Sequence, residues 1–131
     1  MTSDNTVICP LSVQVSKRKK FILNINNYRN LGYHTLSKAK REYFQAVKLQ
    51  VLKLRGWQRV AVRFTMYPKT ARRIDLSNVL SIHDKFLLDT AVTLGKLDDD
   101  DYHHVIKVSY HFGEIDRMNS RVEAEFIDMD L

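Results

Sequence analysis

Residues 58–67 alternate with period two: Val60, Val62, Phe64 and Met66 fall on one side, Arg59, Ala61, Arg63 and Thr65 on the other, and Pro68 ends the run. A slip of one residue would turn every apolar side chain outward, so the segment has to be a half-buried strand of fixed register. It is followed by a helical pattern over residues 76–94, closed by Gly95. Residues 103–112 and 120–128 alternate again and predict two antiparallel strands joined through Gly113–Asn119. Upstream, residues 6–15 read as a strand in which Pro10 marks an edge or a bulge. Phe21–Ile25 read as a second short strand, and residues 26–34 as a polar loop. A helix is predicted from an N-cap at Ser37 to Arg55, with Tyr43, Phe44, Val47, Val51, Leu52 and Leu54 on its apolar stripe and Gly56 as its stop. The order β-β-α-β-α-β-β predicts one α/β (α+β) domain over residues 1–131, with a mixed or antiparallel sheet and two main helices.

The length of 131 residues supports that single core, because a chain of this size buries about two thirds of its unfolded surface without a disulfide or a metal. Cys9 stands alone, which excludes a disulfide framework and a cysteine-type zinc cluster. No apolar run approaches the roughly 18 residues of a membrane span, and Met1–Asn5 lacks the basic and apolar regions of a signal peptide. The expectation is a cytoplasmic protein.

The net charge of +6 conceals a division. Residues 1–74 hold 16 Lys and Arg against two acids, a net of +14, whereas residues 75–131 hold five against 13, a net of −8. Such asymmetry predicts a polyanion-binding part joined to a part that needs carboxylates; attraction between the two halves across the fold explains it equally.

The acids concentrate in two places. Asp98–Asp101 form an uninterrupted run at a helix-to-strand turn, where like charges raise one another's pKa unless a cation is present. Alone, this run reads as a solvated loop, and it lacks the spacing of an EF-hand. Asp75 marks the entry to the second helix, and Asp84 lies within it on the side of Ser77, Ser81 and Lys85. Clustered Asp carboxylates suit Mg²⁺, with Mn²⁺ as a substitute, since both prefer hard oxygen ligands. Such an ion can activate water and stabilise charge on a phosphodiester. A nearby lysine can neutralise charge developing on the phosphate, while basic segments hold the nucleic-acid backbone.

Arg72-Arg73-Ile74-Asp75-Leu76-Ser77-Asn78, then Asp84-Lys85-Phe86-Leu87-Leu88-Asp89, Gly95 and Asp99-Asp100 resemble the RusA family of Holliday-junction resolvases. The similarity spans roughly residues 58–128 and extends loosely to Asn26-Asn27-Tyr28-Arg29. It implies a phage or prophage endodeoxyribonuclease: a homodimer that binds four-way DNA junctions and nicks two strands symmetrically. By position it implies Asp75, Lys85, Asp99 and Asp100 as catalytic residues, with the three aspartates also holding Mg²⁺; Asp84 joins them as a catalytic and metal-holding candidate on its place in the helix. The chain departs from the family pattern where Ser77 replaces the second acid of the helix-start motif, and about four extra residues separate Asn78 from Lys85. Asp84, on the same helix face as Ser77, is the candidate to supply the missing carboxylate.

For the DNA-contacting surface the basic residues are Lys17, Arg18, Lys19, Lys20, Arg29, Lys69, Arg72 and Arg73; the Lys17–Lys20 run also fits a plain solvated hairpin tip. Of His103 and His104 at most one can face the acidic turn, since adjacent strand residues point to opposite faces. His34, His83 and His111 are isolated, and Trp57 and Tyr67 read as core or interface rather than base-stacking groups. The alternative to an enzyme is a catalytically weak or inactive module that binds junctions or other nucleic acid.

Overall fold

In a computed structural model, residues 5–130 are described. The elements run β1 (Thr6–Cys9), β2 (Ser12–Ser16), β3 (Lys19–Ile22), α1 (Ile25–Arg29), α2 (Tyr33–Leu52), β4 (Val60–Tyr67), α3 (Leu76–Thr93), β5 (Val105–Phe112) and β6 (Arg121–Asp128). The result is a mixed α+β domain. One sheet has the order β1-β6-β4-β5, and β2-β3 form a separate hairpin.

The alternating segment that dominates the sequence becomes the inner strand β4, parallel to β5 and antiparallel to β6. Val60, Val62, Phe64 and Met66 are all buried, as the alternation predicts; Ala61 is buried as well, between two flanking strands. On the same face stand Val122, Ala124 and Phe126 from β6 and Val7 and Cys9 from β1. Helices α2 and α3 cover this face with Tyr43, Val47, Val51, Leu80, Leu87 and Ala91. Each large apolar side chain so buried contributes about 1.5–3 kcal/mol. Trp57 lies in this core, stacked on Phe126 at 5.6 Å with the rings 3° from parallel.

Four local expectations change. The strand over residues 6–15 is two strands: Pro10 breaks it, β1 joins the edge of the main sheet and β2 leaves to pair with β3. The expected loop at 26–34 contains α1, which Asn24 caps by accepting the Asn27 amide at 2.8 Å. This helix buries none of its residues, so it has no apolar stripe to betray it. Helix α2 begins at Tyr33 rather than after Ser37, with Gly32 at its N-cap and no side-chain cap; Tyr33 and His34 are exposed and Leu36 only partly buried, so the first turn carries no apolar period. It ends at Leu52, and two tighter backbone bonds, Lys53 to Gln50 and Leu54 to Val51, lead to Gly56 at φ +84°.

The fourth change is topological. β5 and β6 do run in opposite directions but are not paired, because β4 lies between them. Helix α3 makes the crossover that a parallel β4–β5 pair requires. Among the described residues no helix is long and apolar enough to cross a membrane.

Candidate active site

Helix α3 sets the site. Asp75 is its N-cap, and the carboxylate accepts the Ser77 amide at 3.0 Å, which stabilises the first turn. Ser81 donates its hydroxyl to the Ser77 carbonyl one turn back. The inner side of the helix is wider than the leucine pattern predicts: besides Leu80, Leu87 and Ala91 it buries Ile82, His83, Phe86, Leu88 and Thr90. The polar face is correspondingly narrow, leaving Ser77, Ser81, Asp84, Lys85 and Asp89 outside the core.

Asp84 is half-buried and accepts a 2.9 Å hydrogen bond from the Tyr110 hydroxyl on β5. Its pKa is raised, first by burial and then by the negative charge of Asp100; the Tyr110 bond and Lys85 oppose the rise. Asp100 is raised in turn by partial desolvation, by its hydrogen bond with Asp99 and by the charge of Asp89. The acidic turn thus folds back along α3, and Asp100 links the charges of Asp84, Asp89 and Asp99. Asp99 also accepts the Asp100 amide at 2.7 Å. Lys85 is exposed, its ammonium 5.8 Å from the centre of the Tyr28 ring.

Asp75 does not belong to that group as the residues stand. Nine helical positions separate it from Asp84, about 13 Å along the axis and half a turn around it. Two oxygens on one Mg²⁺ lie no more than about 4 Å apart, so Asp75 and Asp84 do not share an ion in this arrangement. Asp84 does lie on the azimuth of Ser77, but about 10 Å further along. It therefore shifts a carboxylate toward the acidic turn instead of replacing one in place. Among the described residues, no three carboxylate, imidazole or thiol groups converge closely enough to hold a metal as they are. Asp84, Asp99 and Asp100 fit Mg²⁺ in donor chemistry, since their hard oxygens carry repulsion that a cation would relieve.

Asp101 and His104 have another role. Asp101 accepts the His103 amide at 3.0 Å and binds the His104 Nδ1 at 2.7 Å, closing the turn that starts β5. This pairing, more than any other cause, lowers the Asp101 pKa and raises that of His104. His83 is fully buried, 3.0 Å from the Tyr43 hydroxyl, and burial pushes its pKa down to about 3.

All eight basic residues expected to contact DNA are exposed, and none makes an ion pair among the described residues. Lys17 and Arg18 form the tip of the β2–β3 hairpin, and Lys19 and Lys20 open β3. Arg29 ends α1 and lines a cleft of about 530 Å³ together with Asn26, Asp75, Ser77, Asn78 and Ser81. The Asn26 amide donates to the Asn78 side chain at 3.1 Å, so α1 is tied to the first turn of α3. Lys69, Arg72 and Arg73 lie in the loop before α3, and the two arginines line a second cleft that also reaches Asp75.

The sequence alone did not single out Tyr110 or the approach of Asp89 to the acidic turn. The period-two pattern places Tyr110 on the same face of β5 as Val108, but no local signal aims it at a carboxylate 26 positions away. Trp57 is a core group, as expected, whereas Tyr67 is half-buried on the β4 face away from the core, under the Arg121 guanidinium at 4.2 Å. Neither a family model nor a curated protein matches this chain.

Proposed function

We propose that the protein is a Mg²⁺-dependent endodeoxyribonuclease that resolves Holliday junctions by paired, symmetric nicks, as the resemblance to the RusA family implies. The observation that carries this reading is the approach of Asp100 to Asp84, whose pKa its charge raises, with Asp89 and Asp99 acting likewise on Asp100. A fold maintains such repulsion at a stability cost, and clustered perturbed carboxylates mark functional sites more often than structural ones. The exposed, unpaired cations of the hairpin, α1 and the loop before α3 supply the matching phosphate-binding surface.

Asp84 and Asp100 would hold the ion, with Asp99 as a further oxygen donor. When bound, Mg²⁺ supplies an activated water and stabilises charge on the scissile phosphate. The chain's own residues do the rest. Tyr110 orients the Asp84 carboxylate through its hydroxyl, and Lys85 offers a positive charge near it. Asp75 shapes the edge of the DNA path, between the two clefts it lines. A homodimer would present two such sites, as symmetric nicking of a four-way junction requires.

The test is incubation with a labelled four-way junction and a linear duplex, with and without Mg²⁺. Junction-selective nicking that needs metal and vanishes in Asp84→Asn and Asp100→Asn supports the reading. Cleavage that survives both substitutions overturns the site.

The separation of Asp75 from Asp84, together with Ser77 in place of an acid, favours a second reading: a basic module that binds nucleic acid without cutting it. It predicts salt-sensitive binding to every duplex and no cleavage with Mg²⁺ or Mn²⁺.

A further inference from the structure

The cleft of about 600 Å³ beside Asp75 combines two chemistries that the metal site does not use. Its lining includes Arg72 and Arg73, both exposed and without an ion pair among the described residues. It also includes Phe112 and Ile115, which are 53% and 52% exposed. Large apolar side chains left in water at a cleft mark a contact surface when the backbone beneath them is rigid.

That backbone is rigid here. The Gly113 amide donates to the Met66 carbonyl at 2.8 Å, and the Asp116 amide to the Pro68 carbonyl at 2.8 Å. The Ser120 hydroxyl donates to the Tyr67 carbonyl at 3.0 Å. The Arg121 guanidinium binds the Asp116 carboxylate at 2.8 Å while covering one side of the Tyr67 ring. Gly113 itself lies against that ring so closely that a Cβ there would run into it. The segment after β5 is therefore clamped to the end of β4, and Phe112 and Ile115 are held outward at its edge.

We infer that this cleft receives one unstacked nucleotide of bound DNA, with the base against Phe112 and Ile115 and the flanking phosphates on Arg72 and Arg73. Apolar and aromatic side chains lining one cleft with guanidinium groups that make no ion pair among the described residues match the two halves of a nucleotide, a π-face and an anion. The volume lies within the roughly 300–1,000 Å³ of ordinary ligand clefts. The inference rests on the proposed DNA-binding function and adds how a branch is told from a duplex: only a branch point or a bulge offers an unstacked base cheaply.

The experiment compares binding of the full chain to two labelled DNAs, a paired duplex and the same duplex with one unpaired thymine. The unaltered protein should prefer the bulged form by about tenfold, the size of one base–aromatic stack. Phe112→Ala and Ile115→Ser should bring that ratio near one, and Leu49→Ser, an exposed apolar change on α2, should keep it. Arg72→Gln should weaken binding to both DNAs and flatten the salt dependence. Circular dichroism confirms that each variant is folded. A preference that survives Phe112→Ala, while DNA still binds, overturns this inference alone. Failure to bind either DNA overturns the nuclease reading with it. A change in sedimenting mass in Phe112→Ala, at constant DNA preference, assigns the cleft to a second copy of the chain and also overturns the inference.

Discussion

His83 and Asp84 are neighbours on α3, both ionisable, and the fold treats them in opposite ways. His83 is enclosed by the core with one neutral partner, the Tyr43 hydroxyl, and its Nε2 has none among the described residues. Burial keeps it uncharged, with a pKa near 3. Asp84 is only half-buried, and burial together with the charge of Asp100 raises its pKa. One residue loses its charge to become part of the interior. The other stays at the solvent boundary beside a second carboxylate, which is what a binding or catalytic group looks like. The division arises within 100° of rotation, the angle between successive helical residues.

The two groups also respond to pH with opposite sign. The folded pKa of His83 lies below its unfolded value of 6.5, so its contribution is intact above 6.5 and is lost as the pH falls toward 3. The folded pKa values of Asp84 and Asp100 lie above the unfolded 3.8, so the folded state binds their protons more tightly and gains as the pH falls through the folded values.

The harshest way to break the contrast is to give the inner position the outer one's charge. His83→Asp should cost about 3–5 kcal/mol at pH 7, as an uncompensated buried charge does; urea denaturation measures it, and a loss under about 1 kcal/mol would mean that the site is wetter than its burial implies. Tyr43→Phe should cost about 1–3 kcal/mol by leaving the His83 ring with no partner, and the double variant Tyr43→Phe/His83→Leu should recover most of it. If the double variant is no better than the single, the hydroxyl–imidazole bond is not the source of the loss.

Asp84→Asn should act in the other direction and more weakly. Its melting temperature should exceed that of the unaltered protein at pH 7, and the gain should fade as the pH drops below the folded pKa of Asp84. A drop at neutral pH would show that the Tyr110 bond outweighs the repulsion. The smallest effect belongs to the exposed Asp101–His104 pair. His104→Gln should lower the melting temperature chiefly between pH 3.8 and 6.5, where the unfolded Asp is already ionised and the unfolded His is still protonated. An effect that is flat with pH would leave only the turn geometry, not the charges, as their joint role.

Strand β4 and helix α3 were legible because each sets an amphipathic period against a one-sided core, and period is a local property. Residues 24–37 were not, since α1 buries no residue fully and the segment's few apolar contacts, Tyr28, Leu31 and Leu36, are too sparse to make a period. At the site, Asp75 could be read as a helix entry, and it caps one. That Asp84 and Asp100 approach while Asp75 stays a half-helix away was not readable, because it depends on how the turn after Gly95 folds back.

The sequence by itself determined the elements that bury a periodic face, the α+β class and the separation of basic from acidic residues, since hydrophobic period and composition need no partner in space. Only the tertiary structure decided that β4 lies between β5 and β6, which acids meet, and that Phe112 and Ile115 line one cleft with Arg72 and Arg73. Those outcomes rest on contacts between residues far apart in the chain, and the free energy of such contacts comes from burial and charge shared across elements, to which no single segment holds the key.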